Sequence, residues 1–97
     1  MNNVELHEAV REKPDWAGFA AKLNTAMTDE YRLEGVSVVI REMTPEEESA
    51  GEHDLLTFNQ VRQQFEVALS PSHKFPPAWK IADRIDGFLN PDAGGDG

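Results

Sequence analysis

The sequence predicts a small α+β domain in which three to four helices pack around one strand or a small antiparallel sheet centred on residues 33–43. Two observations predict this class. Residues 36–40 (Val36, Ser37, Val38, Val39, Ile40) are mostly β-branched and suit a pleated strand better than a helix. On both sides of them, apolar residues recur at helical spacing. The length of 97 residues adds a bound: a chain this short builds one core, expected over residues 1–90, with 91–97 as a flexible Gly/Asp tail.

The elements follow in order. Residues 4–13 are read as a short helix capped by Asn2 or Asn3, with Leu6, Ala9 and Val10 on one face and Pro14 ending it. A helix over 16–27 follows, its stripe made by Trp16, Phe19, Ala20, Leu23 and Met27, with Asp15 as its cap. In the strand, Val36, Val38 and Ile40 share one face and Leu33, Val39 and Met43 the other, so both faces carry apolar side chains. Gly35 marks a bulge or tight turn at its start.

Thr44, Pro45, Glu46 and Glu47 spell a capping box with proline at the first helical position, and a single turn is expected to close near Gly51. A second box is read at Thr57 and Gln60, with Leu56 stapled to Val61, and it opens a helix along Phe58, Val61, Phe65, Ala68 and Leu69. A strand reading competes, because Phe65, Val67 and Leu69 also alternate with their neighbours and could pair with 36–40. Residues 71–77, with Pro71, Pro76 and Pro77, form a stiff link. A final helix begins at Pro77 or Ala78, with Ala78, Ile81, Ala82, Ile85, Phe88 and Leu89 inward, and Gly87 is a candidate early end.

Composition limits the chemistry. No cysteine is present, so disulfides, thiolate metal sites and thiol catalysis are excluded. His7, His53 and His73 lie far apart without ligand spacing, and His53 between Glu52 and Asp54 reads as a solvated loop residue, so no metal and no cofactor are expected. There is no G-x-S-x-G, glycine-rich phosphate loop or calcium-hand order, and the acids run in solvated clusters unsuited to acid–base work. No catalytic residue is assigned, and the expectation is a protein without enzymatic chemistry.

Charge points to partners. Eighteen acidic and nine basic residues set a net charge of -9, which repels nucleic acid and anionic membranes and favours a basic protein partner. No apolar run is long enough to span a bilayer and the first residues lack a signal-peptide pattern, so a cytoplasmic setting is expected. Residues 29–54 hold nine acids and two bases, whereas 55–90 hold three acids and four bases. The bland reading of this acidic stretch is a solvated loop.

The functional reading is a binding module, an inhibitor or adaptor, that engages a basic surface through Glu34, Glu42, Glu46, Glu47, Glu48, Glu52 and Asp54. Trp79, beside the main stripe of the last helix, is added as a contact residue because tryptophan is enriched in interface hot spots, whereas Trp16 reads as core. One alternative is a DNA or RNA mimic that inhibits a nucleic-acid-binding protein, of the kind carried by mobile elements. Another is a small assembly subunit that self-associates, including a homodimer through the strand, since a lone strand needs a pairing partner.

Overall fold

The computed structural model describes residues 3–91. Among them the chain forms β1 (Asn3–Leu6), a 3₁₀ turn (Glu8–Val10), α1 (Pro14–Thr25) continued by a π-helical turn (Ala26–Glu30), β2 (Ser37–Glu42), α2 (Pro45–Ser49), β3 (Asp54–Asn59), β4 (Gln64–Leu69) and α3 (Ala78–Leu89). The result is a small α+β domain with three α-helices and a four-stranded mixed sheet of order β1-β2-β4-β3.

The sheet is mixed rather than antiparallel, which corrects the expected architecture. β1 and β2 are joined across α1 and therefore run parallel. The intervening β3 pairs antiparallel with β4 and returns the chain so that β4 lies parallel to β2. Alternation along each strand then sorts the side chains. Val4, Val38, Phe65 and Phe58 form one row across the sheet, and Leu6, Ile40, Val67 and Leu56 the next. These rows meet Trp16, Phe19 and Leu23 of α1 and Ile81, Ala82 and Ile85 of α3 in one core.

Two expected helices are absent for the same physical reason, that pairing with a distant strand outweighs a local pattern. Residues 4–13 are not a helix. Val4 and Leu6 turn toward the core while Asn3 and Glu5 face out, and the backbone of β1 is satisfied by β2, with Asn3 N–H donating to Val36 O (3.0 Å) and His7 N–H to Ile40 O (2.8 Å). Pro14 starts α1 instead of ending a helix, with Lys13 at the cap and Asp15 inside the first turn. Residues 58–69 are likewise a hairpin. Val61, counted into the helical stripe, stands 94% exposed at the tip of the turn. The backbone there turns through the acceptor Asn59 Oδ1 (3.1 Å from Arg62 N) and a left-handed Gln63 (φ 53°). The competing strand reading of 65–69 is the one the fold adopts, paired parallel to β2.

Other expectations meet the structure closely. The turn at Gly35 is present with φ 71°. Trp16 is buried. The capping box at Thr44 and Glu47 is formed and α2 gives way to a left-handed Gly51 (φ 89°). In α3, Gly87 does not end the helix; Phe88 sets its ring 5.3 Å from those of Phe58 and Phe65 at the edge of the core while staying 56% exposed, and Leu89 is 41% exposed. The expected tail at 91–97 lies, after Pro91, outside the described residues.

Candidate partner-binding site

The chain leaves the parallel strands β2 and β4 at the same end of the sheet, since Glu42 lies opposite Leu69 and Asp54 opposite the same residue from the other side. The carboxyl ends of parallel strands are where α/β proteins place their sites, because loops of different origin converge there. Here α2, the loop to β3 and the residues following β4 converge.

Local chemistry sets α2 rigidly at this end. Thr44 Oγ1 accepts from Glu47 N–H (3.2 Å) while Glu47 Oε1 accepts from Thr44 N–H (2.9 Å). Arg41, on the face of β2 away from the core, donates Nη1 and Nη2 to the two oxygens of Glu47 at 2.9 and 3.0 Å, and Nε to Glu66 at 3.1 Å. The guanidinium, then the Thr44 amide, hold the Glu47 carboxyl down at about 2 against an ordinary value of 4.5. Ser70, 1% exposed, donates its hydroxyl to Glu48. Since that proton faces a carboxylate, His73 Nδ1 at 2.9 Å is the donor to Ser70 Oγ. The His73 ring stacks on His53 at 3.9 Å, and Ser70 N–H donates to His53 O (3.1 Å), so the loops before β3 and after β4 are latched.

The predicted site residues separate into three groups. Glu42, Glu46, Glu47, Glu48, Glu52 and Asp54 share this end of the sheet. Glu34 precedes β2 and lies at the opposite end. Trp79, 48% exposed, sits on the helical layer near Lys22, Ala26 and Glu30, with the Lys80 ammonium 6.0 Å from its ring. Most acids of the shared group already have work inside the chain: Glu42 pairs with Lys13 at 2.8 Å, Asp54 with Arg84, Glu47 with Arg41, and Glu48 holds Ser70. Glu46 and Glu52 are exposed and form no ion pair among the described residues.

Sequence reasoning missed Arg41, Ser70 and the histidine pair as organisers of this end. Only Arg41 carried a local signal, as the lone cation within the acidic strand end. His53 and His73 come together through strand pairing, which spacing does not reveal. Among the described residues no group of three or more His, Asp or Glu is arranged to hold a metal ion. No family model, no curated protein and no solved structure matches this chain.

Proposed function

We propose that this protein is a non-enzymatic binding module, an inhibitor or adaptor in the cytoplasm, that engages a basic surface on a partner protein through the acidic end of the sheet. The observation that carries the reading is α2 itself. It buries no side chain, so it contributes nothing to the core, yet a capping box, a bidentate arginine and a buried serine hold it in place. A surface turn ordered before binding loses less entropy when a partner docks. Glu46 on it and Glu52 in the loop that follows it face solvent, flanked by the partly exposed Glu42 and Asp54, and such carboxylates steer a cationic partner. Glu34 and Trp79 fall outside this surface.

The internal ion pairs weigh against nucleic-acid mimicry, which needs many free carboxylates spaced like phosphates. Self-association has one observation in its favour. Both edges of β2 are occupied within the chain, but the outer edges of β1 and β3 end the sheet and offer unpaired backbone groups to a second copy.

The test is capture of partners from host lysate, with each candidate then purified and its affinity measured against salt. The reading expects a basic protein whose binding weakens with salt and in the Glu46→Gln/Glu52→Gln double variant, both exposed positions where the fold is undisturbed. Binding indifferent to salt and to the double variant sinks it. Sedimentation of the purified protein over a range of concentrations decides self-association.

A further inference from the structure

A second surface is lined by more basic than acidic residues, against the sign of the chain's net charge. Between the first turns of α1 and the linker that follows β4 runs an open cleft of about 920 Å³. Its walls are fixed. Phe75 packs edge-on against Trp16 (4.9 Å between centroids) and Phe19 (5.4 Å), and Pro71, Pro76 and Pro77 restrict the backbone on the linker side. The ionisable residues lining it are Lys22, Lys74 and His73 against the single acid Asp15, in a chain whose net charge is -9. Lys13, Arg41 and Arg84 are drawn into ion pairs, whereas neither Lys22 nor Lys74 forms one among the described residues.

Gly18 is an independent sign. It lies within α1 and lines the cleft, where glycine weakens a helix relative to alanine. Nothing among the described residues accounts for it, because a Cβ built at Gly18 meets none of their atoms within 4 Å and the backbone there is not left-handed. The missing side chain leaves the helix backbone open to whatever occupies the cleft.

We propose that this cleft binds an acidic peptide segment of a partner protein, with apolar side chains of the segment against Phe75 and the α1 backbone at Gly18 and its carboxylates on Lys22 and Lys74. The geometry suits a chain segment because the cleft is open to solvent between α1 and the linker, and the charge suits an acid because the two lysines form no ion pair among the described residues. This surface is separate from the acidic end of the sheet, and its binding does not depend on the function proposed for that end.

The probe is a short, end-blocked peptide alternating glutamate with leucine, titrated into the ¹⁵N-labelled full chain, with a glutamine–leucine peptide as control. Amide shifts are expected over residues 14–22 and 71–78, with affinity for the glutamate peptide lowered roughly fivefold to tenfold in Lys22→Gln/Lys74→Gln and unchanged in Lys80→Gln. Gly18→Leu fills open space on a helix, so it is expected to keep or raise thermal stability while abolishing the peptide shifts. Equal binding of the neutral peptide, shifts elsewhere on the molecule, or unchanged binding by Gly18→Leu overturns the proposal. So do shifts in the cleft that appear on concentrating the protein without peptide, which would make a second copy the occupant.

Discussion

The Arg41 guanidinium grips both carboxylate oxygens of Glu47, at 2.9 and 3.0 Å, from the strand residue that follows the buried Ile40. This pair fastens α2 to the sheet, and it is partly exposed on both sides, so its worth is roughly 1 kcal/mol, below that of a desolvated pair. Glu47 titrates at about 2 in the folded chain against 4.5 ordinarily. The stabilisation is therefore complete above about pH 4.5 and is lost as the pH falls toward about 2. Glu47→Gln is expected to lower stability by roughly 1 kcal/mol near neutral pH, and the gap from wild type should close on acidification. Urea midpoints measured from neutral pH down to about 2 check this; a gap constant with pH would detach the effect from the carboxylate.

The one tyrosine of the chain, Tyr31, donates its hydroxyl to Asp83 on α3 at 3.1 Å. Partial burial first, then that hydrogen bond and the aspartate charge, raise the phenol above its ordinary 10.0. A raised acid holds its proton longer in the folded chain, so this contribution is present below about pH 10 and fades as pH rises through the folded value. With a single phenol, ultraviolet absorbance reads the titration directly. Wild type is expected to titrate above the free value and Asp83→Asn lower than wild type.

Ser70 joins two loops through one hydroxyl, donating to Glu48 and receiving Ser72 N–H at 3.3 Å and His73 Nδ1. Ser70→Ala leaves those groups short of a partner in a nearly closed site, at a cost of roughly 1–2 kcal/mol. Amide hydrogen exchange should accelerate over residues 48–53 and 70–73 ahead of the sheet. Exchange that accelerates uniformly, with no local excess, would mean that the hydroxyl does not hold the loops.

Asn24, at the end of α1, buries its Oδ1 without a hydrogen-bond partner among the described residues. An unmet acceptor of this kind costs about 1–3 kcal/mol. Asn24→Leu, similar in size and a better helix former, is expected to raise stability by roughly 1 kcal/mol, read as a higher melting temperature.

Where the partners of a residue lie nearby in the chain, the sequence is a good guide. The α2 turn follows from Thr44, Pro45 and Glu47, because both bonds of a capping box span three residues. The buried stripes of α1 and α3 follow from helical periodicity, which Trp16, Phe19 and Leu23, and then Ile81, Ala82 and Ile85, display without ambiguity. The β-branched run at 36–40 likewise marks β2, whose side chains alternate whatever pairs with it.

Strand partners and charge partners were decided only in three dimensions. Val4 and Leu6 fit either a helix face or a strand face, and β1 exists because β2, over thirty residues away, supplies its hydrogen bonds. Thr57 and Gln60 imitate a helix start, but Leu56 and Phe58 gain more by joining Phe65 and Val67 across the sheet. The same holds for the acids. Composition counts them in one block, whereas Lys13 and Arg84 reach Glu42 and Asp54 from 29 and 30 residues away, and Glu46 and Glu52 have no ion pair among the described residues. Local geometry is written in short-range spacing, but which backbone edge and which counter-charge a residue meets depends on long-range packing, and that is settled only when the whole core closes.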